Sequence, residues 1–411
     1  MFQLLRHPIF GRLLLSHILA LLGTGLATIA LGFVAFDIAG DKAGSVLGTV
    51  LAIKMLCFML VAPIAATLLA KTPVKVILLS SELIRVAVAA CLPFVTNVWH
   101  IYALVVIMHV ASAVFTPTFQ AAIPRIVTNE HDYGRALALS RMAYDLETLV
   151  SPLLTGALLL LVSAQDLFFG TAIGLAASAA LIASLILPRP ALDHPKNGGF
   201  GARLTRGSKL LFSSRALRSI FILHLAVAGS GGFAMVQTVT VVRGSLGLEE
   251  SDVALALGAM GVGSLCGALF VTRHVERFGA RKVLLTGGLL LGLAPLGVPL
   301  ALFIGGRWGL SVLMALWIVL GIGYSTTLTP IGQVIRATIG DSDLPSVFAA
   351  QFSLAHGWWL VAYLLAGWLG AFTSMSLTAV FLGLVSLMAT LLARSTWRVE
   401  VIQPIRVLTR E

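Results

Sequence analysis

Charged residues are scarce in this 411-residue chain. Asp, Glu, Lys and Arg make up only 11% of it, whereas hydrophobic residues make up 58% and the mean hydropathy is +0.99. A soluble domain carries about 25% charged residues. A soluble protein of this size has too little interior to bury so much apolar surface, so the composition excludes that class and favours a membrane protein with several spans.

Motifs for metal, redox and nucleotide chemistry are also lacking. The three cysteines, Cys57, Cys91 and Cys266, lie in apolar stretches, and no pair has the spacing of a metal or redox site. The chain has no GxxxxGK[ST] loop, which excludes ATP hydrolysis of the P-loop type. No nucleophile, base and orienting residue can be assembled from the sequence, so we expect no enzymatic activity, no bound metal and no cofactor.

The charge that is present is mostly basic, with a formal net charge of +11. Of the 28 Lys and Arg residues, 22 fall in segments on one predicted side of the membrane. Three lie on the other side (Lys42, Arg243, Arg307) and three within spans (Lys54, Arg85, Arg141). This asymmetry is an orientation signal that predicts both termini in the cytoplasm, and it argues against nucleic-acid binding.

Apolar runs of about 20 residues predict transmembrane helices. We count twelve, at residues 11–36, 44–69, 75–95, 99–123, 135–163, 166–187, 216–242, 251–272, 281–304, 308–333, 344–372 and 375–394. The first run is too long for the apolar part of a signal peptide, so we expect it to be retained.

The two halves of the chain repeat each other. A shift of 207 aligns His17 with His224, and a shift of 211 aligns Asp132 with Asp343. Two parallel repeats with the substrate between them are typical of transporters. We therefore predict an all-α fold with two pseudo-symmetric six-helix bundles, at 1–187 and 216–394. A basic cytoplasmic linker (188–215) joins them, and a cytoplasmic tail (395–411) follows.

The segment from Glu276 to Lys282, ERFGARK, carries an acidic–basic–glycine–basic pattern. It resembles the signature loop of the major facilitator superfamily. The resemblance to that superfamily extends over nearly the whole chain, through the twelve spans, the basic central loop and the two related halves. The resemblance implies a latch on the cytoplasmic side that holds the halves together. Its candidate residues are Glu276, Arg277, Gly279, Arg281 and, from the eroded first copy of the loop, Lys71. The alternative is that these residues only anchor the chain at the membrane surface.

The segment 115–125 and the Ser151-Pro152 pair followed by Gly156 resemble the multidrug and enterobactin-exporter-like proton antiporters of that superfamily. Ser151 replaces the usual glycine, and Gly156 comes one position late. The resemblance implies proton-driven efflux of a hydrophobic or amphipathic small molecule by alternating access, by a monomer in a bacterial inner membrane. Alternatives are a proton symporter that imports a metabolite, a lipid flippase and a membrane scaffold that transports nothing.

Three ionisable residues interrupt the fifth predicted span: Arg141, Asp145 and Glu147. Arg141 and Asp145 are four residues apart and share a helix face, whereas Glu147 points elsewhere. Lys54 in the second span reaches a similar depth and balances the charge. We expect either a network in which a carboxylate carries the proton, or a static paired network, or contact with a charged substrate. Glu82 and Arg85 in the third span are expected to pair with each other.

A transport cavity needs apolar walls with a few polar groups. The candidates are polar, aromatic or ionisable residues in the spans expected to line it, and ordinary packing is the alternative for each of them. They are His17, Thr24, Phe115, Gln120, His224, Gln237, Tyr324, Gln351, His356 and Trp358.

Overall fold

The computed structural model describes residues 2–69, 72–129, 161–187, 200–340 and 343–397. Between 130 and 160 it describes Asp132, Tyr133, Ala136, Leu139, Ser140, Ala143, Glu147, Val150, Ser151 and 154–159.

The first half consists of helices α1 to α5. They are α1 (Phe10–Ala39), α2 (Ala43–Leu68), α3 (Val74–Cys91), α4 (Val98–Ile126) and α5 (Leu167–Ala183). The described residues from Asp132 to Leu158 are also helical, and we call this part the fifth segment. A short helix, Phe2–Leu5, precedes α1.

The second half begins with a helix in the linker, α6 (Phe200–Ser213). It continues with α7 (Arg215–Val239), α8 (Glu250–Phe278), α9 (Ala280–Leu296), α10 (Gly306–Leu328), α11 (Leu344–Phe372) and α12 (Met375–Thr396). Short helices, Val298–Ile304 and Ile331–Thr338, extend α9 and α10, and a π-helix, Thr240–Ser245, extends α7.

Most of these helices suit a membrane interior. Nine helical stretches of the described ranges are long and apolar enough to cross a bilayer, and the first, Phe10–Val61, contains both α1 and α2. The helix α5 is a shorter apolar one. Only a helix satisfies its own backbone hydrogen bonds in lipid, so long apolar runs fold in this way. The predicted all-helical membrane fold is confirmed.

Local sequence determines where several helices end. Gly40 follows α1 with φ +54°, and Gly279 separates α8 from α9 with φ +81°, conformations that residues with a Cβ rarely adopt. The Asn97 side chain accepts a hydrogen bond of 2.9 Å from the Trp99 N–H at the start of α4. Glu249 and Asp252 form a reciprocal capping box at the start of α8.

The same helix pairs pack in both halves. In the first half α1 packs on α5, α2 on α4, and α3 on both α4 and α5. In the second half α7 packs on α12, α8 on α10, and α9 on both α10 and α12. Each pair in one half has its counterpart in the other, which confirms the predicted pseudo-symmetric architecture.

The halves meet chiefly between α2 and α11. Gly48 of α2 lies against α11 so closely that a Cβ there would be 2.5 Å from the Tyr363 carbonyl oxygen. Gly44 of α2 and Gly367 of α11 are in similar contact, and Gly156 of the fifth segment faces the backbone of α8. These glycines allow close helix packing at the end of the bundle opposite to α6. We call that end the far side, and the end that carries α6 the linker side.

Candidate functional site

Glu147 occupies a notch on α1. A Cβ added at Gly25 would lie 3.2 Å from the Glu147 carboxylate oxygen Oε1, and Ser151, one helical turn further on, lies against the same glycine. The residue as a whole is half-buried. The absence of a side chain at Gly25 therefore makes room for the Glu147 carboxylate inside the bundle.

Charged and polar groups from both halves surround this carboxylate. Lys54 of α2 and the hydroxyl group of Tyr363 on α11 both lie within electrostatic range of Glu147. Lys54 also lies within electrostatic range of His109 on α4. Glu147 therefore has a cation of its own half and a phenol of the other half within electrostatic range, and the roles predicted for Glu147 and Lys54 stay predictions. The predicted residues Arg141 and Asp145 lie outside the described residues.

The second half contributes an aromatic wall near this position. The Trp359 ring centroid of α11 lies 5.2 Å from that of Tyr363 and 6.4 Å from that of Tyr324 on α10. A Cβ added at Gly231 of α7 would lie 2.9 Å from Trp359, so this glycine lets the indole approach α7. Trp359 and Tyr324 are half-buried, so their rings offer apolar surface as well as packing.

Hydrogen bonds tie α7 to α11 beside this wall. The Gln351 side-chain nitrogen lies 2.9 Å from His224 Nε2, and His224 Nδ1 lies 3.0 Å from the Ile220 carbonyl oxygen. This pattern fits a neutral imidazole that donates from Nδ1 and accepts at Nε2. The Trp358 indole N–H donates to the Phe221 carbonyl oxygen at 3.1 Å. Three of the predicted cavity residues therefore stabilise one helix pair.

His356 faces the other half. Its ring centroid lies 4.1 Å from that of Phe352 on the same helix and 5.8 Å from that of Phe58 on α2. Its Nδ1–H donates to the Phe352 carbonyl oxygen at 2.6 Å. His356 thus lies at the contact between α2 and α11, on the linker side of Gly48.

His17 and Phe115 are packed inside the first half. The His17 ring is stacked on Phe119 at 4.1 Å and near Phe115 at 5.9 Å, and both His17 and Phe115 are almost fully buried. The Arg85 guanidinium lies 4.7 Å from the Phe115 ring centroid. His17 and Phe115 are therefore packed against neighbouring side chains, and their contact with a substrate stays a prediction.

The buried pair of Glu82 and Arg85 confirms the pairing predicted from their spacing. Arg85 Nη2 lies 2.6 Å from Glu82 Oε1, and the same oxygen accepts a hydrogen bond of 2.8 Å from the Ser178 hydroxyl group of α5. Both charged side chains are at most 5% exposed. The pair therefore joins α3 to α5 through the interior of the first half.

The remaining cavity candidates have different surroundings. Gln237 is fully buried, and its amide nitrogen donates to the Ala366 carbonyl oxygen at 2.6 Å. Thr24 is half-buried and donates to the Ala20 carbonyl oxygen at 2.7 Å, whereas Gln120 is exposed. Thr28 and Met235, from the two halves, line a small cleft on the far side.

On the linker side, the predicted latch residues lie around the turn between α8 and α9. Arg281 donates to the Arg394 carbonyl oxygen at 3.4 Å, and the Arg277 guanidinium lies 5.1 Å from the Phe278 ring centroid. Glu276 is exposed and forms no ion pair with any residue that the structure describes. Lys71 lies outside the described residues.

On the far side, an ion cluster centred on Arg243 joins the halves. Arg243 in the π-helix lies 2.8 Å from Asp37 of α1 and 3.4 Å from Glu250 of α8, and its guanidinium lies 4.7 Å from the Phe36 ring centroid. The sequence signal for this contact is that Arg243 is one of only three basic residues on its predicted side of the membrane. Arg243 thus joins α1 of the first half to α8 of the second half on the far side.

Comparison with known families gives two matches along one chain. The model described as "Major Facilitator Superfamily" matches residues 13–273 and again residues 220–407. The matches overlap, and together they cover nearly the whole sequence. No curated protein matches the chain by sequence.

Solved structures share the fold. A POT family transporter in complex with a thioalcohol-conjugated peptide is 13% identical, with a TM-score of 0.69, over 95% of this chain and 96% of that one. The nucleoside transporter NupG is 14% identical, with a TM-score of 0.68, over 95% of this chain and 99% of that one. At such low identity the likeness concerns the fold alone.

Proposed function

Because this chain belongs to the Major Facilitator Superfamily, we propose that it is a secondary active transporter that exports a hydrophobic or amphipathic small molecule in exchange for protons. That it is a membrane transporter and not an enzyme follows from the family and from the transporter folds that it resembles. The direction of transport, the proton coupling and the class of substrate are part of the proposal. We also propose that the protein works as a monomer in a bacterial inner membrane, with both termini in the cytoplasm and the proton gradient as the energy source.

The observation that carries the proposal is the position of Glu147. It is a carboxylate inside the bundle, within electrostatic range of Lys54 from one half and of Tyr363 from the other. When the halves rock, the distances from Glu147 to groups of the second half change, and so does its access to water. Both changes alter the proton affinity of a carboxylate. Glu147 is therefore placed to bind a proton in one state and release it in the other.

The aromatic wall supports the substrate class. Trp359 contacts both Tyr324 and Tyr363, the residue within electrostatic range of Glu147, and so presents an apolar face near it. Gln351 of the same helix carries an amide for hydrogen bonding. Ligand sites that combine apolar walls with a few fixed polar groups suit amphipathic molecules. The siderophore-like or drug-like substrate of the proposal has that chemistry.

The decisive experiment is transport by the purified protein in proteoliposomes with an imposed pH gradient, using a panel of labelled lipophilic compounds. We expect Glu147→Gln to reduce gradient-driven transport to the level of empty vesicles, because the neutral amide cannot carry the proton. Exchange of substrate across the membrane at equal pH should persist, since exchange needs no net proton movement. Asp166→Asn, which changes an exposed carboxyl group in a loop, is the matched control and should transport as the wild type does.

Full gradient-driven transport by Glu147→Gln would rule out this proton site. The sign of the gradient that drives accumulation separates exporter from importer, because a substrate that moves with the protons identifies a symporter. Translocation of a labelled phospholipid, with no movement of the other compounds, would identify a flippase.

A further inference from the structure

The linker helix α6 is fixed to the second half by one face. Gly207 packs directly on the backbone of Ser346 at the start of α11, and Leu211 is fully buried among apolar residues of α7, α11 and their neighbours. Arg206 forms an ion pair with Asp343, with Nε and Oδ1 2.8 Å apart. The helix therefore has a defined orientation, and its other face points away from the bundle.

That other face is both basic and aromatic. Lys209 and Phe212 of α6 are exposed, as are Arg215 and Arg218 in the first turn of α7, and the Phe212 side chain remains 43% exposed. The three basic residues form no ion pair with any residue in the part of the chain that the structure describes. We call these four residues the basic–aromatic surface.

A series of rings leads from this surface along α7. The Phe212 ring meets Phe221 edge-on with centroids 5.2 Å apart, and the Trp358 centroid lies 5.2 Å beyond Phe221. Because α7 enters the apolar span just after Arg218, these rings extend from the membrane surface towards the bilayer interior. Phe212 is thus the exposed end of a row of rings whose other members, Phe221 and Trp358, are half-buried.

We propose that the basic–aromatic surface binds an anionic phospholipid of the adjacent leaflet. The acidic headgroup lies among Lys209, Arg215 and Arg218, and the start of one acyl chain lies against Phe212 and Phe221. Charge complementarity carries the assignment, since three cations without an ion-pair partner among the described residues attract a net negative headgroup and distinguish it from a zwitterionic one. A small soluble anion would leave the exposed Phe212 ring uncovered, whereas the acyl chain of a lipid would cover it.

Lipid binding here would act on the linker between the two halves. The same helix that carries Lys209 and Phe212 is bonded to α11 through Arg206, and α11 forms the main contact with the first half. A bound lipid would therefore attach the second half to the membrane surface through α6 and α11. The site requires no particular substrate and no proton coupling.

Native mass spectrometry of the full-length protein in detergent, with equal amounts of dioleoyl-phosphatidylglycerol and dioleoyl-phosphatidylcholine, tests the proposal. We expect the wild type to retain phosphatidylglycerol in preference. The Lys209→Gln, Arg215→Gln, Arg218→Gln triple variant should lose about 100-fold in affinity, since each basic residue at an anionic membrane surface contributes about fivefold. Phe212→Ser should weaken binding of the same lipid while the preference over phosphatidylcholine persists.

The matched control removes three exposed basic residues from elsewhere on the linker side: Arg273→Gln, Lys282→Gln, Arg394→Gln. It has the same net charge as the first triple variant and should retain phosphatidylglycerol as the wild type does. If both triple variants lost the same affinity for phosphatidylglycerol, the effect would be due to net charge, and the proposed site would be wrong. Equal retention of the two lipids by the wild type would also contradict the proposal. Matching melting temperatures of the lipid-free proteins exclude misfolding as the cause.

Discussion

Replacing Arg85 with Met is expected to destabilise the protein by about 3–5 kcal/mol, the cost of leaving one partner of a buried ion pair without the other. Glu82 is fully buried on α3, and its Oε1 atom is bound by Arg85 and by Ser178. Without the guanidinium, the carboxylate remains in an apolar interior with a neutral donor alone. The midpoint of unfolding in detergent, followed by circular dichroism, measures the effect.

Replacing both partners gives the control for this prediction. In Glu82→Leu with Arg85→Met no charge remains, and side chains of similar volume fill the space, so most of the lost stability should return. Because α3 packs on α4 and α5 within the first half, the double variant should also retain transport. A single variant as stable as the wild type, or a double variant less stable than either single one, would contradict the account of this pair as a structural clamp.

Replacing Gly48 with Leu is expected to open the far side. A Cβ at this position would lie 2.5 Å from the Tyr363 carbonyl oxygen, and a leucine side chain needs considerably more room. Helices with larger side chains at their contact pack about 8–10 Å apart, so α2 and α11 must separate. Spin labels at Lys42→Cys and Thr373→Cys, in a background without Cys57, Cys91 and Cys266, should show a longer distance than in the wild type. Transport should fall to background, because the far side can no longer close.

Gly357→Leu is the matched control for Gly48→Leu. It introduces the same side chain on α11, at a glycine where an added Cβ meets nothing within 4 Å. The distance between the spin labels should remain that of the wild type. If the Gly48→Leu protein also kept the wild-type distance, the glycine contact would not be what closes the far side.

Much of this architecture could be predicted from the sequence, because the bilayer imposes simple constraints. Runs of about 20 apolar residues fold as helices, and buried charges need partners. The length of the apolar runs predicted the spans, and the need to balance buried charge predicted that Lys54 lies near Glu147. The spacing of Glu82 and Arg85 predicted their pairing, since residues three apart share a helix face.

What the sequence did not reveal depends on contacts between distant segments. Arg243 and Asp37 are 206 residues apart, and only the docking of the two halves brings them together. Tyr363 comes within electrostatic range of Glu147 for the same reason. The helix α6 lies in a polar stretch with too few apolar residues to form a transmembrane span. Its buried face could not be identified from the sequence, because it depends on the packing of Gly207 and Leu211 against the second half.

The notch at Gly25 has a counterpart in the second half. There Gly232 faces Ala362, and the shift that aligns the repeats places Trp358 at the position of Glu147. The duplication thus left one notch with a titratable group and one without. An exchange that used this carboxylate alone would carry one proton per cycle. With an uncharged substrate it would move one net charge across the membrane, so transport would respond to voltage as well as to pH.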